Sequence, residues 1–396
     1  MLSPHILKGA SERDLRILIT NNTLASRCGT ELYVRDLASA LLKRGHTPIA
    51  YSAELGEVAR ELREMNVRVV DNLDQLSAPP DLIHGQHHVE TMTALLHFPH
   101  TPAVFFCHSF YYWEETPPRF PRILRYVAVD QPCRDLLTRE HAIPEESVQV
   151  ILNFVDLERF KSRSAPLPVH PERALVFSNY MDESEHISIV REACGRRGIE
   201  LEVMGMNSGQ PASAPERTLG QYDIVFAKAR CALEAMAVGA AVVLCDTAGV
   251  GPMVTTGELE RLRQLNFGTR ALEEKLNRAA LERELARYDA TEAAEVSRRI
   301  RSRASLDGGV DQIVALYQTV LDEHEKTGAR DVDEEERAAA VYLRWVTTEM
   351  RAQQKNLAEV VNNSTTMRLK DRVLSIPVFG SLARSVARKA VGRSSR

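Results

Sequence analysis

Residues 222–246, YDIVFAKARCALEAMAVGAAVVLCD, leave few folds open to this chain. The stretch begins with a four-residue apolar run, Ile224-Val225-Phe226-Ala227, the size of a strand buried on both faces. Lys228 and Arg230 follow, then the small-residue helix Ala232-Leu233-Glu234-Ala235-Met236-Ala237. Gly239 stops that helix, and Ala241-Val242-Val243-Leu244 reads as a second buried strand. A strand–loop–helix–strand unit of this kind belongs to a parallel sheet. Its polar residues fall where the carboxyl ends of strands meet the positive ends of helices, which is where open α/β sheets bind ligands.

The same alternation runs through the rest of the chain. Leu15-Arg16-Ile17-Leu18-Ile19 reads as a first strand. A polar loop through Gly29 leads into a helix from Thr30, whose Leu32, Val34, Leu37, Ala38, Leu41 and Leu42 share mostly one face. Further strands are expected at 48–51, 67–70, 81–84, 103–107, 126–129 and 148–151, with helices at 58–65 and 131–140. Residues 161–172, KSRSAPLPVHPE, hold three prolines and no apolar period, so they read as a linker. A second series then begins, with strands at 174–177 and 201–204, a helix at 187–197, the opening stretch, a Gly-rich turn at 248–252 and helices to about 325. The expectation is two doubly wound parallel-sheet domains, residues 1–160 and 173–330, facing a cleft suited to a ligand.

From Asp331 the composition changes, and residues 331–396 are expected to form a helical extension. Residues 334–361 read as a long polar helix, and residues 367–396 carry eight Lys or Arg against the single Asp371. Leu374, Ile376, Val378, Phe379 and Leu382 are interleaved with those cations, a pattern that can lie on an anionic membrane surface. Pro377 and Gly380 interrupt any single helix there, so a solvated tail and a tail docked on the protein are the other readings.

Composition narrows the function. A net charge of −4 gives no pull toward nucleic acid. The six cysteines form no CxxC pair and read as reduced thiols. No apolar run approaches the ~20 residues of a membrane span, and the start, MLSPHILKGASERD, lacks the apolar core of a signal peptide. A cytoplasmic protein is expected, with the inner face of the membrane within reach of its tail.

Several residue types at strand ends suit ligand chemistry. His84, His87 and His88 could be a metal cluster or hydrogen-bonded loop histidines, and no carboxylate or cysteine nearby completes a ligand set. His108 ends a strand, where it either acts on a ligand or is a satisfied structural histidine. The Tyr111-Tyr112-Trp113 cluster could stack on a sugar ring or fill the core.

With these residues in hand, the chain resembles the family-4 retaining glycosyltransferases of the GT-B fold over residues 15–325. CGTELYVRDLASALLKRGH, residues 28–46, is similar to that family's first loop and helix. PDLIHGQH with VFFCH, within residues 80–108, is similar to its strand-end histidine region. ILNFVDLERF, residues 151–160, is similar to its Asn-Gly-Val-Asp-x-x-x-Phe segment, with Phe154 in place of Gly. ALEAMAVGAAVV, residues 232–243, matches its strongest motif.

The resemblance implies a GT-B fold of two Rossmann-like domains and a nucleotide-sugar donor, UDP- or GDP-linked. Glu234 would hold the ribose hydroxyls, since two carboxylate oxygens suit a vicinal diol. Gly29 with Thr30 would let the backbone approach the donor phosphates. Asn179 and Gly251 would line the same site, and His108 would sit by the transferred sugar. Two features depart from the family. Phe226 stands eight residues before Glu234, where the family has a sugar-facing glutamate. The family's diphosphate-gripping cations are absent from SNYMDESE, residues 178–185, so Lys228 with Arg230 in support is expected to replace them. No metal is expected, because the Asp331-Val332-Asp333 pattern lies beyond the second sheet. The expected activity is sugar transfer onto a polysaccharide, glycolipid or other envelope-type acceptor. Two alternatives stand beside it: a catalytically degenerate sugar- or nucleotide-binding partner subunit, and a nucleotide-sugar epimerase on the same fold.

Overall fold

The computed structural model describes residues 13–207, 209, 214–326 and 331–363. The first series of elements is β1 (Arg16–Thr20), the short β2 (Thr23–Leu24), α1 (Gly29–Lys43), β3 (Thr47–Tyr51), the short β4 (Glu54–Leu55), α2 (Glu57–Glu64), β5 (Arg68–Val70), β6 (Leu82–Gln86), α3 (His88–His97), β7 (Ala103–Cys107), β8 (Ile123–Ala128), α4 (Gln131–Asp135) and β9 (Val148–Val150). Seven of these strands form one parallel sheet in the order β5-β3-β1-β6-β7-β8-β9. Its inner strands are buried on both faces, as helices on both sides require. The expected helix at 131–140 is split: α4 ends at Asp135 and a π-turn carries the chain through Glu140.

The second series is β10 (Arg173–Phe177), α5 (Ser188–Gly195), β11 (Glu200–Met204), α6 (Pro215–Thr218), β12 (Ile224–Ala227), α7 (Ala229–Val238), β13 (Ala241–Asp246), β14 (Gly249–Met253), α8 (Leu259–Gln264), α9 (Arg278–Leu285), α10 (Ala290–Arg303) and α11 (Leu306–Lys326). Its sheet runs β11-β10-β12-β13-β14, with β14 antiparallel. That strand corrects the reading of residues 248–252 as a Gly-rich turn. Gly251 lies buried within β14, where a Cβ would collide with the Ala271 carbonyl. Its missing side chain is required by packing against the Ala271 carbonyl. Gly239, by contrast, ends α7 at φ 98°, a left-handed cap that disfavours any Cβ.

The chain passes between the sheets twice, and the two passages run side by side. Val155 bridges Ser305 in parallel. Val155 N donates to Ala304 O at 2.8 Å, and Leu306 N donates to Val155 O at 2.9 Å. The return changes one expected assignment. Helix α11 packs on the first sheet, although it falls within the sequence range read as the second domain. Its Val310, Ile313, Val314, Tyr317 and Val320 join the core formed by α1 and β1. These residues recur at helical spacing, so they bury one stripe against a sheet that α1 alone would leave half covered.

The chain divides into two compact units. Residues 1–118 and 122–330 hold both sheets, and residues 331–396 with 119–121 form the other. In the second unit α12 (Val332–Asn363) is largely exposed along its length, as its polar sequence predicts. The basic segment 367–396 lies outside the described residues. No helix among the described residues is long and apolar enough to cross a membrane.

Phe154, which replaces the family's glycine, fills the space beside Gly309 on α11 and lies 5.5 Å from the Tyr33 ring. A Cβ on Gly309 would strike the Phe154 ring directly. Exchanging a helical Gly for Ala ordinarily stabilises by up to about 1 kcal/mol, whereas overpacking a filled core costs about 1–3 kcal/mol. The clash outweighs the propensity. Gly309→Ala is therefore expected to lower the thermal unfolding midpoint by a few degrees. An unchanged or raised midpoint would show that the Phe154 ring moves freely.

Candidate functional site

The carboxyl ends of β10, β12 and β13 converge on three side chains. Ser178 Oγ donates to Asp246 Oδ1 at 3.0 Å, and the other carboxylate oxygen of Asp246 pairs with Lys228 Nζ. Asp246 is fully buried, whereas the Lys228 side chain keeps 24% of its surface exposed. The ammonium also lies 5.0 Å over the Tyr180 ring. Lys228 is thus anchored from below and open to solvent above. It is also the N-cap residue of α7, and Ala229 takes φ 49° to turn the chain from β12 into the helix. The Lys228 side chain does not cap that helix start; Ala229 N donates to Phe267 O at 2.8 Å, and the next N–H groups, of Arg230 and Cys231, add to the positive field there.

Arg230 is placed differently from the expectation. It faces the first sheet instead of supporting Lys228. Its Nη2 pairs with Asp36 Oδ2 on α1, and its Nε donates to Glu234 Oε1 at 2.8 Å. Asp36 also receives Arg35 Nη2 at 2.7 Å and Arg159 Nη1 at 3.3 Å. Arg159 reaches on to Glu216 at 3.1 Å, and Arg35 to Glu61 at 3.2 Å. Burial would raise the Asp36 carboxyl, but Arg230, Arg35 and Arg159 outweigh it and hold the group below its usual range. For Glu234 burial wins: its carboxyl is raised despite Arg230. Glu234 lies in the second turn of α7, only 5% exposed, with one oxygen committed to Arg230.

The other expected residues are distributed as follows. Gly29 opens α1 with clear space where a Cβ would stand, and Thr30 Oγ1 donates to Glu31 at 3.1 Å. Asn179 accepts from Met206 N at 3.2 Å, which ties the exits of β10 and β11 together. Phe226 is fully buried in β12. Tyr111 and Tyr112 are 58% and 63% exposed, so the core reading fails for both. Trp113 packs edge-on to His88 at 4.5 Å.

The strand-end histidines do not converge on a common point. His84 Nδ1 lies 2.6 Å from the Tyr317 hydroxyl, and His87 Nδ1 accepts from Asn22 N at 3.1 Å. Among the described residues, the ligand-type group brought within 4.8 Å is Asp182, Glu185 and His186, where Asp182 already caps the helix start. His108 is packed against Tyr33 at 4.6 Å between ring centres, and its Nε2 has no protein partner. Strand register and side-chain alternation put Asn21, Gln86 and His108 on one face. Asn21 Oδ1, both amide atoms of Gln86 and the Tyr33 hydroxyl are also buried without protein partners. Buried polar atoms left in that condition are ordinarily met by water or by a ligand.

Sequence reasoning missed Asp36, Arg159, Glu115 and Asp246. Two of them left a signal: Asp36 interrupts the apolar run of α1, and Asp246 ends a fully buried strand. Glu115 is the least visible in the sequence. It is buried, accepts from His108 N at 2.8 Å and lies 3.6 Å from His87 Nε2. Burial pushes its carboxyl up to about 8 and pushes His87 down to about 4 and His108 down to about 3.

Residues 28–159 match the sequence pattern of Glycosyltransferase Family 4. Comparison with curated protein sequences gives no match. Among solved structures, a glycosyltransferase from Rickettsia africae ESF-5 superimposes with a TM-score of 0.57 at 16% identity, covering 78% of this chain and 99% of that one. Anabaena HepE in complex with UDP-glucose gives 0.55 at 15% identity, covering 77% and 99%. The same protein with UDP and glucose gives 0.53 at 15%, covering 77% and 100%. The fold is GT-B, two parallel-sheet domains with a helical C-terminal region. Its first domain carries the family-4 glycosyltransferase pattern.

Glu115 yields a pH test. A carboxyl raised in the folded state holds its proton more tightly there than in the unfolded chain. Its contribution is full below the ordinary value of 4.5 and is lost as pH rises through about 8. The depressed histidines act oppositely, costing stability as pH falls below 6.5, and they do so equally in a Glu115 variant. Glu115→Gln keeps the shape of the protonated acid at every pH. The wild-type thermal midpoint should therefore fall relative to that of Glu115→Gln between pH 5 and 8. Parallel curves over that range would contradict the assignment.

Proposed function

We propose that this chain is a glycosyltransferase that moves a sugar from a UDP- or GDP-linked donor, with retention, onto a polysaccharide, glycolipid or other envelope-type acceptor. The observation that carries the proposal is Lys228, anchored by buried Asp246 at the start of α7. An ammonium has three N–H donors, and Asp246 takes one, which leaves two for phosphate oxygens. The departing nucleoside diphosphate gains negative charge as the glycosidic bond breaks, and a fixed cation at a helix start stabilises that charge most in the transition state. This supply of positive charge is the reason no metal is invoked. Glu234 would exchange part of its contact with Arg230 for the ribose hydroxyls. The unpartnered groups of His108, Gln86 and Asn21 would meet sugar hydroxyls across the cleft. HepE, a structural neighbour, is seen with UDP and with UDP-glucose, which supports the donor class. The basic sequence of residues 367–396 supports contact with an anionic membrane surface on the cytoplasmic side, where a lipid-linked acceptor would be met.

A second reading, a non-catalytic partner subunit that only binds sugar or nucleotide, is favoured by one observation. Phe226 is buried where the family has a sugar-facing glutamate, and no other carboxylate takes its place on β12. Calorimetric titration with UDP and GDP, followed by donor hydrolysis and transfer over a panel of donors, separates the two. The enzyme reading predicts that Lys228→Ala weakens nucleotide binding about tenfold, or about 1.4 kcal/mol, and slows turnover by about 10²-fold or more. Binding with no hydrolysis or transfer for any donor would favour the partner subunit. Unchanged affinity and turnover in Lys228→Ala would remove the basis of the proposal.

A further inference from the structure

Where the chain passes twice between the sheets, the structure holds a cavity of about 260 Å³. Its walls are the segment leaving β9, helix α8, the end of α10 and the start of α11. Three arginines line it: Arg263, Arg299 and Arg303. Two of them are neutralised within the protein. Arg299 Nε donates to Glu295 at 2.8 Å, and Arg303 pairs with Glu260. Arg263 is not. Its Nη1 is buried without a hydrogen-bond partner, and among the described residues it has no ion pair. Glu260 is the carboxylate it senses, and that group is committed to Arg303. Burial pushes the Arg263 guanidinium down to about 10, which still leaves it charged at neutral pH.

Arg263 is half-buried, so part of its charge still reaches water, but a guanidinium nitrogen buried without an acceptor carries a desolvation cost that a bound anion relieves. Surface neighbours show the contrast: Arg261, two residues earlier, pairs with Glu258 and Glu273 at 2.8 and 2.9 Å. The guanidinium fork suits the oxygens of phosphate or carboxylate. The space is several times the ~30 Å³ share of one water in the liquid, so it admits more than a bare solvent molecule. Gln264 and Ser305 on its wall can bind hydroxyls, as can the Glu260 carboxylate.

We propose that this cavity is an anion site, distinct from the site at Lys228, that takes a small phosphorylated or carboxylated sugar with its acid group on Arg263. Residues from both chain passages and from helices on either sheet form the wall, so occupancy bears on how the sheets are held. A ligand that prefers one arrangement of the sheets shifts the protein toward it, and donor affinity responds reciprocally.

The test uses the full chain and its Lys228→Ala variant, so that anion binding at the donor site does not contribute. Thermal shift and calorimetry are run with inorganic phosphate, glucose 6-phosphate, glucuronate and glucose. The proposal expects glucose 6-phosphate or glucuronate to raise the midpoint, glucose to leave it unchanged, and the ratio of the two acids to identify the preferred group. Arg263→Gln should weaken the effective acid at least tenfold, with Arg263→Lys intermediate. Should Arg263→Gln fail to fold, Arg263→Lys, which keeps the charge and loses the fork, carries the test with weakened binding expected. No stabilisation by any anion would overturn the proposal, as would equal stabilisation of wild type and the Arg263 variant.

Discussion

Asp36 is a carboxylate with almost no access to water, surrounded by guanidinium groups from three segments: Arg35 on its own helix, Arg159 from the passage between sheets and Arg230 from the second sheet. Placing that many charges out of water costs several kcal/mol per ion before they attract one another. The cluster is therefore poor evidence for extra stability and good evidence for placement. Each guanidinium is satisfied only when α1, the passage at 159 and the start of α7 are together. Removing one member strands the others, which costs about 3–5 kcal/mol. The two sheets also meet where Gln131 bonds Gln264 at 3.1 Å and where Arg270 lies 4.9 Å over Phe110. Those contacts are exposed enough to be individually weak, so Asp36 carries most of the specificity.

That placement determines what α7 can offer a ligand. Arg230 turns toward Asp36 and takes Glu234 with it, so the residue that resembles a ribose ligand is also part of the contact between sheets. On the proposed function, donor binding and sheet-to-sheet contact would compete for one carboxylate. Lys228 is held by a separate partner, Asp246, and keeps its exposed face. The two cations at the start of α7 are thus divided physically: Arg230 joins the contact between the sheets, and Lys228 keeps a face open to solvent.

Much of the fold was legible in the sequence, because parallel sheets buried on both faces write themselves as short apolar runs separated by helical periods. The strands at 224–227 and 241–246, the cap at Gly239 and the change of composition at Asp331 all follow that logic. The return of α11 to the first sheet was not legible, since an amphipathic stripe does not say which sheet it covers. Gly251 misled because a glycine that yields to a carbonyl in an edge strand looks like a glycine that yields to a phosphate. In the candidate site, Lys228 was singled out from local pattern and Glu234 from the resemblance. Asp36 and Glu115 were not, because their roles depend on partners 194 and 28 residues away, respectively Arg230 and His87. Arg230 was found and given the wrong partner for the same reason.

The most direct measurement is a double-mutant cycle on Asp36→Asn and Arg230→Gln, read as the free energy of unfolding in urea. If the buried pair positions the two sheets, each single change destabilises by about 3 kcal/mol. The double change then costs at least about 2 kcal/mol less than their sum, the range expected for directly coupled residues. Losses that simply add, to within about 0.5 kcal/mol, would contradict the account.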